Sequence, residues 1–194
     1  MKPLILASSS PRRISLLESL GFPVKIAKFE TDETFAYSLS VEEVVMELAQ
    51  RKALNALHHV KGVEEGIIIG GDTVVVLDGE IMGKPRNEEE AFSMINALQG
   101  RTHDVYSGLV CIDYESQKQL VRWKRTKVVM KHIDNDTIWR YIKSGEPMDK
   151  AGAYAIQGIG ATFIEGIEGD YFNVVGLSLS LLSDMLKAFG VEIL

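Results

Sequence analysis

An apolar run, Leu4-Ile5-Leu6-Ala7, passes without a spacer into Ser8-Ser9-Ser10-Pro11-Arg12-Arg13. The run reads as a buried strand. Pro11 has no N–H and a φ already suited to a first helical position, so the chain must turn from strand to helix within three serines. Small hydroxyl residues let backbone N–H groups approach a ligand, and two guanidiniums follow within one turn. A plain helix start would favour Asp or Glu at those positions, because cations oppose the helix dipole there. Ser10 as a simple N-cap with solvated arginines is the bland alternative; the misplaced cations favour an anion, with phosphate the natural guest.

The rest of the chain reads as alternating helices and strands. Pro11 to Leu20 carries apolar residues at helical spacing and stops at Gly21. Phe22 to Phe29 reads as a strand, and Ser40 with Glu43 forms a capping-box pattern that opens a long helix to about His59. Ile67-Ile68-Ile69 predicts a buried strand that breaks at Gly70-Gly71-Asp72 and resumes over Val74 to Leu77; Asp78-Gly79 then turns the chain back through Glu80-Ile81-Met82. Asn87 with Glu90 opens a helix ending at Gly100, strands are expected over 105–114 and 120–131, and a short helix over 136–144. A glycine-dense stretch, 152–176, mixes turns with short strands, and a helix over 177–189 closes the chain. The expected class is α/β or α+β, a mixed twisted sheet flanked by helices. No linker or repeat divides the 194 residues, so a single domain is expected.

Charge narrows the partners. A formal net charge of -6 disfavours a nucleic-acid polymer or an anionic membrane, while a small anion needs only a local basic pocket. Cys111 is the only cysteine and sits in an apolar run, so a buried structural thiol and a reducing, cytoplasmic setting are expected. No apolar segment has the length of a membrane span or a signal peptide. The four histidines lack zinc-type spacing and read as structural, and neither a P-loop nor a dinucleotide fingerprint is present; Gly158-Ile159-Gly160 is too short to count.

Asp72 stands out as a reacting carboxylate, because two glycines beside it permit close ligand approach at the end of an apolar strand. Lys84, in Gly83-Lys84-Pro85, is expected back near Asp72 through the Asp78-Gly79 hairpin. A structural ion pair is the dull alternative; a compact cation held extended by Pro85 suits a phosphate oxygen. Lys52 lies beside Ala49, Ala53 and Ala56, where a long cation could reach a cleft, although a solvated lysine is the commoner case. Asp32 and Glu33 form an acidic pair in a polar loop and offer the hard oxygens that Mg²⁺ or Mn²⁺ needs.

Taken together, Ser8-Ser9-Ser10-Pro11-Arg12-Arg13, Gly71-Asp72-Thr73-Val74-Val75, Gly83-Lys84-Pro85 and the run from Tyr154-Ala155-Ile156-Gln157-Gly158 through Glu168-Gly169-Asp170-Tyr171 to Asn173-Val174-Val175-Gly176-Leu177 resemble the Maf family of nucleotide pyrophosphatases, also called septum formation inhibitor proteins. The resemblance covers nearly the whole chain. It implies a two-lobed fold akin to the inosine triphosphatases with a central cleft, and hydrolysis of a nucleoside triphosphate to the monophosphate and pyrophosphate with a divalent metal. It implies that Asp72 is the proton acceptor and, with Glu33, a metal ligand. Ser8, Ser10, Arg13, Lys52 and Lys84 would bind phosphate. Arg12, Thr73 and Gln157 match the branch that acts on dTTP and UTP. Gly71 departs from the Ala common in the family, a difference expected to matter little. Hydrolysis of 7-methyl-GTP or a damaged purine, and nucleotide sensing in cell division without turnover, stay open as alternatives. Composition leaves a homodimer undecided, though dimers are common in families of this kind.

Overall fold

A computed structural model describes residues 2–63 and 65–193. The chain divides into two compact units, the first Met1–Asp72, Ser107–Lys124 and Gly176–Leu194, the second Thr73–Tyr106 and Arg125–Val175.

In the first unit, β1 (Leu4–Leu6), α1 (Pro11–Glu18), β2 (Val24–Ile26), α2 (Val41–His59) and the start of β3 (Ile67–Leu77) follow one another. β1 pairs in parallel with both β2 and β3, so the strand order is β2-β1-β3. The end of β5 (Thr102–Asp113) and the start of β6 (Gln119–Met130) extend this sheet beyond β3. The chain moves to one side of β1 through α1 and to the other through α2. Because such crossovers are right-handed, the reversal sends the two helices to opposite faces of the sheet.

The core records that reversal with period-two alternation. Leu4, Leu6, Ile67, Ile69, Leu109 and Cys111 cluster with Leu17 of α1 and with Leu182, Met185 and Leu186 of the closing helix, Leu179–Lys187. Ile5, Ala7, Ile68, Val110 and Ile112 cluster with Ala49, Ala53 and Ala56 of α2. Both faces are therefore dry, which explains why these strands are continuous apolar runs. Cys111 is buried here, and burial raises its thiol to about 12, as expected of a structural cysteine.

Two strand expectations change. β2 covers only Val24–Ile26, and its pairing with β1 is closed at one end by the Pro23 carbonyl, which accepts from the Leu4 N–H at 3.1 Å, and at the other by the Ala27 N–H, which donates to the Leu6 carbonyl at 2.9 Å. β3 does not break at Gly70-Gly71-Asp72 but runs unbroken from Ile67 to Leu77. The glycines there answer a packing demand. A Cβ on Gly70 would lie 2.4 Å from the Ala49 carbonyl oxygen and 2.8 Å from the Ala53 Cβ, and one on Gly108 would lie 2.0 Å from the Val45 carbonyl oxygen. The backbone of α2 thus rests directly on β3 and β5. The capping box survives as read: Ser40 Oγ accepts from the Glu43 N–H, and Glu43 Oε2 accepts from the Ser40 N–H.

The second unit contains the rest of β3 with β4 (Glu80–Met82), the start of β5, the end of β6, and β7 (Ile164–Glu168). β3 and β4 form the expected hairpin, with Val75 opposite Met82 and Asp78 and Gly79 at positive φ. Helices α3 (Glu88–Leu98) and α4 (Asn135–Lys143) begin at Asn87 and Asp134, whose side chains accept from Glu90 N–H and Thr137 N–H. Their apolar faces share a cluster with Val75, Leu77, Val105, Val128 and Met130. In the glycine-dense stretch, 3-10 turns at Glu146–Asp149, Ala151–Ala153 and Gly158–Phe163 precede β7, and α5 (Tyr171–Val175) follows it. Leu179–Lys187 is then α6.

Candidate active site

The strand order β2-β1-β3 reverses between β1 and β3, and in an open parallel sheet such a switch point leaves a crevice outside the carboxyl ends of the two strands. The two most suspicious sequence motifs stand there. β1 ends into Ser8, Ser9 and Ser10, and β3 continues past its last pairing with β1, Leu6 opposite Ile69, to Asp72. Asp72 accordingly lies within a central strand and not at the end of one, which corrects the expectation from sequence.

Alternation along β3 gives Asp72 the same face as Ile68 and Gly70, the face covered by α2. Lys52, one turn beyond Ala49 on α2, reaches this carboxylate. Its Nζ donates to Asp72 Oδ1 at 2.6 Å and lies 2.7 Å from Glu33 Oε1. The side chains of Lys52 and Asp72 are only 16% and 12% exposed, so this pair is shielded in a way that surface pairs are not. Asp72 Oδ2 makes no hydrogen bond among the described residues. The acidic pair of the loop is split in role: Asp32 accepts from the N–H and hydroxyl of Thr34 and shapes the turn, while Glu33 faces Lys52.

Arg13 is buried on α1, 8% exposed, which overturns the picture of a first-turn arginine turned to solvent. Its Nε donates to the Gly176 carbonyl oxygen at 2.8 Å and its Nη1 to Ser8 Oγ at 3.3 Å. Burial pushes the guanidinium pKa down, opposed by the charges of Asp72 and Glu33. Ser8 Oγ also accepts from the Ser10 N–H at 3.2 Å, so one hydroxyl organises the whole loop. Ser10 is the N-cap residue of α1 in extended conformation, yet its side chain makes no capping bond, and the first turn holds no acid. A Cβ on Gly71 would meet Arg13 Nε at 3.4 Å and Cζ at 3.5 Å, ordinary contact, so an alanine would fit here. Arg12, half-buried, precedes Arg13 on the same turn.

Asp72, Glu33, Lys52, Arg13, Arg12, Ser8 and Ser10 all belong to the first unit. Thr73, Lys84 and Gln157 belong to the second. Thr73 and Lys84 flank the β3–β4 hairpin, each two residues beyond the Val75–Met82 pair. Lys84 is exposed and follows Gly83, whose carbonyl accepts from the Gly152 N–H at 3.0 Å. Gln157 is exposed in extended conformation, and its amide makes no hydrogen bond among the described residues.

Among the described residues no three or more His, Cys, Asp or Glu side chains gather into a metal-binding group. Two carboxylates do converge on one cation, and one of their oxygens is unengaged. That donor set suits Mg²⁺ or Mn²⁺, which bind through one or two carboxylates and take their remaining oxygens from phosphate and water. Sequence reasoning missed the role of Gly176, whose carbonyl anchors Arg13 from more than a hundred residues away. The signals for α2 lying on the sheet, Gly70 and Gly108 facing a valine and two alanines, were present but needed the fold to be read.

The match to a family model and the curated relatives point to one family. Residues 3–189 match the description "Maf-like protein". A dTTP/UTP pyrophosphatase of Caldanaerobacter subterraneus subsp. tengcongensis is 50% identical over 190 residues, 97% of this chain and 90% of that protein. Another of the same name, from Pelotomaculum thermopropionicum, is 49% identical over 194 residues, the full length of both. Among solved structures, the Staphylococcus aureus Ham1 protein has a TM-score of 0.49 at 17% identity, over 84% of this chain and 80% of that one. With a family match across nearly its entire length and full-length relatives at half identity, the chain belongs to the Maf family.

Proposed function

We propose that this protein hydrolyses nucleoside triphosphates, dTTP and UTP foremost, to the nucleoside monophosphate and pyrophosphate. Full-length relatives near 50% identity carry that activity in their names. The observation that carries the chemistry is the convergence of Asp72 and Glu33 on Lys52 Nζ, just past the last parallel pairing of β3 with β1.

In-line hydrolysis at the α-phosphorus needs a base for water and positive charge for the departing oxygens. Lys52 fixes Asp72 Oδ1, which leaves Oδ2 to accept the proton of the attacking water. The water oxygen bonds to the α-phosphorus, the bond to the bridging oxygen breaks, and pyrophosphate leaves with the electron pair. Arg13, held by Gly176 and Ser8, contributes a guanidinium that needs no reorganisation during the reaction. Ser8, Ser10 and Lys84 serve the phosphates. Asp72 and Glu33 would hold a divalent cation, which when bound neutralises phosphate charge. Arg12, Thr73 and Gln157 select the base; the Gln157 amide can both donate to and accept from a pyrimidine edge.

The test is Asp72→Asn, which keeps the shape and removes the base. Pyrophosphate release from dTTP should fall by about 10²–10⁴, the usual contribution of a positioned base. Nucleotide binding measured by calorimetry should persist. Turnover near that of the native enzyme would remove Asp72 from this role.

A further inference from the structure

The glycines of Gly158-Ile159-Gly160 have a structural reason that points to a second layer of the specificity apparatus. Glu146 Oε2 accepts from the Ile159 N–H at 3.0 Å, and Oε1 accepts from the Gly160 N–H at 3.0 Å. Tyr141 Oη donates to Glu146 Oε1 at 3.1 Å and accepts from the Ala155 N–H at 3.2 Å. One carboxylate and one phenol thereby hold the backbone two residues before Gln157 and two to three residues after it. The chain can close this tightly around them only without side chains. A Cβ on Gly158, at φ +69°, would lie 2.8 Å from Glu146 Oε2, and one on Gly160 would lie 2.7 Å from Tyr141 Oη.

Further bonds fix the holders. Lys150 Nζ donates to the Glu146 carbonyl oxygen at 2.5 Å, and the Tyr141 ring packs edge-on against Phe163 at 4.9 Å. Immediately upstream, Tyr154 Oη and His103 Nε2 lie 2.7 Å apart in the core. Between these anchors Gln157 projects with its amide uncommitted. We propose that Glu146, through Tyr141, is the positioning residue for Gln157, so that preference among bases depends on a carboxylate that itself contacts no substrate. This inference rests on the reading of Gln157 as the residue that selects the base. Burial pushes the Glu146 carboxyl up, but the N–H groups of Gly160 and Ile159 and the Tyr141 hydroxyl together hold it below the usual carboxylate range. It is therefore ionised at neutral pH and accepts from all three.

A double-mutant cycle on the full chain tests this, reading kcat/KM for pyrophosphate release from dTTP and CTP. Glu146→Gln puts an amide NH₂ against one of the backbone donors. It should reduce the dTTP-to-CTP ratio about tenfold, the scale of one unpaired polar group, mainly through KM for dTTP. Combined with Gln157→Ala it should reduce the ratio no further than Gln157→Ala alone, because both changes remove one interaction. Tyr141→Phe keeps the ring and should lower the ratio about threefold, which serves if Glu146→Gln does not fold. A native ratio in folded Glu146→Gln, or losses that multiply in the double variant, would overturn the positioning role. If Gln157→Ala itself leaves the ratio unchanged, the base reading fails and the positioning role with it; a Gln157 effect without a Glu146 effect overturns only the latter.

Discussion

The two units organise their polar residues by different physics. In the first, the sheet is apolar on both faces, one cluster against α1 and α6 and another against α2, so functional groups gather only where strands end or where glycine makes room. What gathers is charge: Lys52 between Asp72 and Glu33, and a buried Arg13. In the second, one core cluster covers one face, while the other carries ion pairs beside the buried Val74, Val76 and Tyr106, with Arg125 paired to both oxygens of Asp104 and Lys127 beside Glu168. Its ordering contacts are a phenol and a carboxylate that accept from backbone N–H groups, and an imidazole against a tyrosine hydroxyl. On the proposed function, fixed charges would serve a step in which charge develops, and backbone tethers one that recognises only shape and hydrogen-bond pattern.

The sharpest way to break this contrast is Lys52→Ala. It leaves two carboxylates facing each other, and kcat should fall by about 10²–10³, equivalent to roughly 3–4 kcal/mol of transition-state stabilisation. A loss under tenfold in a stopped assay of pyrophosphate release would mean that charge is not what the first unit contributes.

Next in size is a pH effect confined to the second unit. Burial pushes His103 down to about 4 from 6.5, with Asp104 opposing. The folded state keeps the imidazole neutral, so the unfolded chain binds more protons between those two values. Stability is complete above pH 6.5 and declines as pH falls towards 4, by at most ~3 kcal/mol. Denaturant titrations of native protein and His103→Gln across that range measure it; equal slopes in both would remove His103 as the cause.

Two glycine substitutions sharpen the account of the first unit. Gly70→Ala drives a methyl into the backbone of α2 and should cost about 1–3 kcal/mol, read as a lowered Tm. Gly71→Ala meets only ordinary contact at Arg13 and should stay within about 0.5 kcal/mol of the native protein. Similar Tm values for the two variants would show that α2 does not lie as close to the sheet as described.

Much of the fold was legible in local pattern. The capping box at Ser40, the cap at Asn87 and the hairpin at Asp78-Gly79 are signals whose physics is complete within four residues, and each produced the element it announced. The break foreseen at Gly70-Gly71 did not occur, because a glycine required by a helix lying on the strand looks in sequence like a glycine required by a turn. Of the residues singled out, Asp72, Glu33 and Lys52 meet in one ion-paired group, and Ser8 and Arg13 form another linked to it electrostatically. Glu146 and Tyr141 carried no sequence signal of their own. Their partners are backbone N–H groups, which every residue but proline possesses.

Sequence by itself determined where the capped helices and the hairpin form, and which residue types are chemically able to hold phosphate, accept a proton or read a base. The strand order, with its reversal beside β1, was decided only in three dimensions, and so was the pairing of a lysine on one helix with a carboxylate on a distant strand. The reason is the range of the forces: propensity, capping and turn chemistry act over a few residues, while burial and charge pairing act through space between residues whose separation along the chain carries no information about their distance.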